Sequence, residues 1–318
     1  MRVFSKATDS TNASLLLASL KENLPFLKDG LGNIVVTKVK YCKCHRGKVS
    51  PWEHEFLLVT LEESVGAGRT ALLLVDRLMD DRKEYAGGQD GLLADIAKHQ
   101  REAIIDIEAT ESTDSNSSVE SESRALPVEP QWASPSRIQS SAAKIKRSTK
   151  GDPPGALDRL VILPPNSNLA TIAKELGDCL FDTLMTMDLT QSQIRVTLER
   201  FTHLLRTTSR NTPQYHFIFA QCYWYAYTIW RVLEMETQPR IEPRIGQAER
   251  QCSYSGYGKS VVLGKGKFVN MVRSPETIKA QWKAEMPAED QEWTEKKRVS
   301  IITTSGDQIS LIVPSGTS

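Results

Sequence analysis

Leu15, Leu16, Leu17, Leu20, Leu24 and Leu27 recur near a helical period after a Ser/Thr/Asn-rich start, which predicts an amphipathic helix over 9–28. From Asn33 the period shortens to two. NIVVTKVKYCKC, HEFLLVTLEE and TALLLVDRL predict three strands, the last two joined as a hairpin through SVGAGR. Helical spacing returns in DGLLADIAKHQREAIIDIE at 90–108. After it the chain turns to Ser, Glu and Pro, a composition that buries too little apolar surface to offset an ordering entropy of about 1–2 kcal/mol per residue. Residues 108–152 are therefore expected to be a disordered linker or insertion.

Beyond it, ALDRLVILPP predicts a strand, and NLATIAKELGDCLFDTLMTM and TQSQIRVTLERFTHLLRTTS predict two helices, the second capped by Thr or Asp near 188–190. A polar RNTP turn leads into YHFIFAQCYWYAYTIWRVLEME, read as an extended stretch over Tyr215–Phe219 followed by an aromatic helix. Past Pro239 come a Gly- and Tyr-rich segment, a helix at about 275–297, and two β-like runs, VSIITT and QISLIV. The fold class that follows is α+β, a small antiparallel sheet packed against helices. Residues 1–107 and 153–240 complete one composite domain across the linker, with 241–318 as a C-terminal extension.

Forty basic and 39 acidic residues leave a net charge of +1, so overall charge gives no reason to expect a nucleic acid or an anionic membrane as partner. The N-terminal apolar stretch is too short and interrupted for a signal sequence, and the most apolar run, 217–230, falls short of the ~20 residues that span a bilayer. Five cysteines, an odd number in a long chain, argue for a reducing compartment rather than a disulfide framework. Cytoplasm or nucleus is the expected location, with KIKR at 144–147 a weak import signal. No transmembrane segment and no cofactor are called for.

Candidate chemistry gathers at Cys222. Its place between an aromatic stretch and an apolar helix puts the thiol near a helix N-terminus, where unpaired N–H groups and the helix dipole stabilise a thiolate and an oxyanion alike. A buried helix with one packed thiol fits the same pattern. A thiolate nucleophile needs an imidazole, and of five histidines His54 is best placed, at the start of the strand HEFLLVTL. His216 falls in the stretch before Cys222, His99 and His203 on polar helical faces, and His45 in a basic surface stretch. Pairing across SVGAGR brings Asp76 or Arg77 beside His54, so that Asp76 orients the ring, with Glu53 or Glu55 as substitutes. Gln221, or the backbone N–H of Cys222, would serve the oxyanion.

A strand-borne histidine followed much later by a helix-borne cysteine resembles the circularly permuted papain-like fold of lecithin retinol acyltransferase-like proteins and related deubiquitinase-like peptidases. YHFIFAQCYWYA matches their layout of a Tyr-containing stretch, a polar pair and the cysteine, with Ala220-Gln221 standing where those families carry an Asn-Asn or similar pair. The same strings are similar to fungal proteins with an HEF-type strand and a CYW-type helix. The resemblance covers about 34–78 and 157–236. It implies a thiol hydrolase or acyltransferase acting on an amide or acyl ester of unknown acyl or peptide identity. Its third polar residue falls on Asp76. The alternative is a non-catalytic interaction module on the same fold, with the linker recruiting a protein partner.

Cys42, Cys44 and His45 in YCKCHRGK lack a second cluster at zinc spacing and read as strand residues. GYGKSVVLGKGKF lacks the order of a phosphate-binding loop and reads as a hairpin or loop. The basic cluster of Lys38, Lys40, Lys43, Arg46 and Lys48 has no stacking platform beside it, and nucleic-acid binding is not expected.

Overall fold

The computed structural model describes residues 2–4, 7–45, 53–79, 156–213, 222–256, 259–262 and 273–309. The expected 90–108 helix, the 108–152 linker, KIKR, the 215–219 stretch and residues 310–313 of the last β-like run lie outside them. So do Gln221, His99 and His216.

The three strands expected before the linker are present as β2 (Ile34–Cys44), β3 (Glu55–Glu63) and β4 (Thr70–Met79). Gly66 and Gly68 take positive φ in the turn that joins β3 to β4, a backbone region open to glycine without a Cβ clash. Beyond residue 152, β5 (Ala156–Leu163) pairs with β4, so residues from both sides of 108–152 belong to one sheet. With β1 (Asp9–Thr11), β6 (Phe181–Asp188) and β7 (Arg240–Pro243), the sheet has seven strands, larger than expected. Their order is β1-β5-β4-β3-β2-β6-β7, and every pairing is antiparallel.

Alternation along the strands sorts side chains onto two faces. Val39, Tyr41, Leu57, Val59, Leu73, Val75, Leu160 and Ile162 enter the main core. Cys42, Cys44, Phe56, Leu58, Leu74, Val161 and Leu163 form a smaller cluster on the other face. The main core is completed by α1 (Ala13–Lys21), α3 (Leu198–Asn211), α4 (Cys222–Thr237) and α5 (Pro275–Ile309). The short α2 (Leu169–Glu175) covers the smaller cluster through Ile172.

Four expectations are corrected. The 9–28 helix is confined to α1, capped where Asn12 Oδ1 accepts from the Leu15 N–H at 2.9 Å, and a separate π-helical turn follows at Phe26–Gly30. Of the 168–187 helix only α2 forms. Gly177 and Asp178 adopt left-handed φ, and the chain turns back to pair β6 with β2, where a ladder of hydrogen bonds outweighs helix propensity. The next helix starts at Leu198, not 190. Asp188 Oδ1 accepts from the Thr190 N–H at 2.9 Å in a local turn, and the chain passes through turns and bends before Thr197 bridges Val35. VSIITT continues α5, because each residue added to an anchored helix gains a backbone bond while a lone strand has no partner. GYGKSVVLGKGKF contributes to a two-stranded hairpin, β8 (Ser253–Gly256) with β9 (Lys259–Val262). No helix among the described residues is long and apolar enough to cross a membrane.

Candidate active site

Cys222 is the first described residue of α4, at the end of the helix toward which the positive pole of its dipole points. The three aromatic residues that follow fix this end of the helix. Lys43 Nζ lies 5.4 Å from the ring centroid of Tyr223, and the Arg77 guanidinium lies 5.5 Å and 5.6 Å from the rings of Trp224 and Tyr225. Cation–π contacts between desolvated groups are worth about 2 kcal/mol each. Arg77 is itself buried, paired with Asp158 and donating to the Thr212 carbonyl.

His54 immediately precedes β3. Leu57 faces Val75 across the hairpin, and continuing that register carries Asp76 onto the face of His54 and Arg77 onto the opposite one. The open choice between Asp76 and Arg77 thus resolves to Asp76. His54 Nε2 lies 3.2 Å from Asp76 Oδ2. The Cys222 sulfur also lies close enough to the ring to favour its charged form. Phe56 stacks against the imidazole, with centroids 6.1 Å apart and planes 14° from parallel. The structure therefore brings together three of the four expected site residues, Cys222, His54 and Asp76.

Burial works against a charged imidazole, yet the Cys222 sulfur and the Asp76 carboxylate hold the proton on His54 and push its pKa up to about 10. Burial alone would raise the Asp76 carboxyl; hydrogen bonds from His54 and Arg159 overcome it and keep the group below the usual carboxylate range. Arg159 donates from Nε to Oδ1 at 3.0 Å and from Nη2 to Oδ2 at 2.8 Å. The arrangement is a charged acid–base pair at the rim of the sheet, beside a thiol at a helix N-terminus.

The alternatives for the third role point elsewhere. Glu55 faces the main core and Glu53 pairs with Lys43 at 2.9 Å. His45 pairs with Asp182 at 2.9 Å. His203, expected on a polar face, is fully buried with Nε2 3.0 Å from Glu285, because α5 packs over that side of α3. Cys42 and Cys44 are strand residues, as their alternation implied. Cys44 donates its N–H to the His54 carbonyl at 2.7 Å, and Cys179 packs against its cluster. Burial, then the nearby Cys179 and Cys222 sulfurs, push the Cys44 thiol well above its ordinary pKa. Among the described residues no group of three or more His, Cys, Asp or Glu is placed to hold a metal ion.

Arg159 and Lys43 were not expected at the site, and Arg77, weighed as a neighbour of His54, instead lies against Trp224 and Tyr225. Arg159 carried a readable signal, since it alternates with Val161 and Leu163 onto the face of Asp76. Comparison with family models, with curated proteins and with solved structures finds no match for the chain.

Proposed function

We propose that this chain is a cysteine-dependent hydrolase or acyltransferase acting on an amide or acyl ester, built on a permuted papain-like arrangement. The observation that carries the reading is His54 held between the Cys222 thiol and the Asp76 carboxylate. In the reaction the Cys222 sulfur attacks the acyl carbon, while the positive end of the α4 dipole stabilises the developing oxyanion. His54 gives its proton to the departing amine or alcohol, leaving a thioester. The imidazole then takes a proton from water, or from an acceptor nucleophile, whose attack releases the acyl group and expels the sulfur as thiolate beside the recharged imidazolium. Asp76 fixes the ring and balances its charge throughout.

The competing reading, an interaction module with a packed cysteine, draws on the 5 % exposure of Cys222. Alkylation by iodoacetamide at pH 6 separates the two, because an ordinary thiol is almost wholly protonated there. The expected result is that Cys222 in the folded chain reacts roughly tenfold or more faster than in the urea-unfolded chain, and that His54→Ala removes the advantage. A folded Cys222 that reacts more slowly than the unfolded one, with or without His54, overturns the enzyme reading.

A further inference from the structure

We infer that Arg159 is a positioning residue of this site, one that keeps Asp76 a fixed anion so that Asp76 can orient His54; the inference rests on the functional reading above. Asp76 Oδ2 is shared, accepting from Arg159 Nη2 at 2.8 Å on one side and lying 3.2 Å from His54 Nε2 on the other. Oδ1 takes the second arm of the guanidinium at 3.0 Å. With both oxygens engaged, the carboxyl plane cannot turn without breaking a charge-assisted bond, and a planar fork fixes such a plane where an ammonium would not. Arg159 Nη2 also donates to the Glu175 carbonyl at the end of α2, at 3.0 Å, so the guanidinium is held from a second element.

Burial explains why the anion needs this help. The Asp76 side chain has no exposed surface, and a lone carboxylate there would take up a proton rather than remain charged. Protonated, it would offer His54 a neutral oxygen and lose its grip on the imidazolium. The charged and titratable groups that face it are His54 from the start of β3, Arg159 from β5, Glu175 beyond Arg159, Cys222 beyond His54, and Asp158 and Tyr225 from the other face of the sheet. Arg159 is the permanent cation in direct contact. It is also supplied from beyond the 108–152 interruption, whereas His54 and Asp76 come from before it.

The test is the titration of Asp76 in the full chain, followed by the carboxyl carbon signal of selectively labelled aspartate and assigned with Asp76→Asn. In Arg159→Gln the Asp76 midpoint should rise by about one pH unit or more, and Arg159→Lys should restore part of that shift. Cys222 alkylation should slow in the folded Arg159→Gln chain. A midpoint within about 0.3 unit of wild type in folded Arg159→Gln, or a lowered melting temperature with no change in titration, overturns the role. Failure of the enzyme reading would look different: Cys222 would stay unreactive in the wild-type chain while the Asp76 midpoint still moved. Should Arg159→Gln fail to fold, Arg159→Lys alone decides, since loss of the fork with charge retained still predicts a raised midpoint and slower alkylation.

Discussion

Lys43 Nζ lies 3.2 Å from Glu55 Oε1, and neither side chain has exposed surface. Glu55 follows His54 directly, so the strand sends one residue to the reacting face and the next into the main core. There the carboxylate also accepts from the Tyr41 hydroxyl and, at 2.9 Å, from the Cys252 N–H, while Lys43 donates to the Arg250 carbonyl at 2.9 Å and to the Ser253 carbonyl. This network ties the 250–253 turn to the ends of β2 and β3, and it carries the ammonium that sits under Tyr223 beside Cys222.

Lys43→Met should therefore be costly, by about 3–5 kcal/mol, because it strands Glu55 and nearby Glu53 without their cation. The cost should depend on pH. Burial pushes Glu55 up to about 7, with Lys43 the largest influence pulling it back. Because the folded value is raised, the stability linked to this group is fully present below 4.5 and is lost as pH rises through about 7. Without Lys43 that loss deepens. Urea unfolding should show a larger gap between wild type and variant at pH 8 than at pH 5, and equal gaps would mean that Glu55 is not the group left uncompensated.

The imidazole makes its own pH prediction. His54 is raised from 6.5 to about 10, so the stability from its charged contacts is fully present below 6.5 and disappears as pH rises through about 10. Wild type should lose on the order of a few kcal/mol of unfolding free energy between pH 7 and pH 10 that His54→Ala does not lose. Denaturant midpoints of the two proteins at both pH values give the comparison. Parallel losses in the two would assign the alkaline sensitivity to other groups.

How much of this was legible follows the range of the interactions. β2, β3 and β4 announce themselves because alternation is local and SVGAGR offers glycines where the turn needs positive φ. The pairing of His54 with Asp76 was readable for the same reason, since a hairpin register is fixed by its turn. Phe181–Asp188 was misread because FDTLMTM satisfies either period, and it becomes a strand only through the distant edge of β2. His203 was placed on a polar face because the helix that buries it begins more than 70 residues later. The cations behind Tyr223, Trp224 and Tyr225 arrive from strands far away in sequence, and no local pattern in CYWYAYTIW names them.

The cysteines give the sharpest contrast between a reactive and a packed thiol. Cys42 and Cys222 are both nearly without exposed surface, at 0 % and 5 %, but their surroundings differ. Cys42 lies in mid-strand among Phe56, Leu58 and Leu74, with the Thr183 hydroxyl at 3.7 Å as its polar neighbour, and burial pushes its thiol up to about 12. Cys222 faces an imidazolium at a helix N-terminus. Peptide mapping after brief iodoacetamide treatment of the folded chain at pH 8 should find Cys222 modified while Cys42 stays unmodified until urea is added. The order should hold when Cys42→Ala removes the strand thiol, leaving the Cys222 rate unchanged within about twofold while costing about 1–2 kcal/mol of stability from the small cavity. If Cys42 were labelled as fast as Cys222, local opening of the sheet rather than activation by His54 would govern thiol reactivity here. The imidazole would then have no special claim on Cys222.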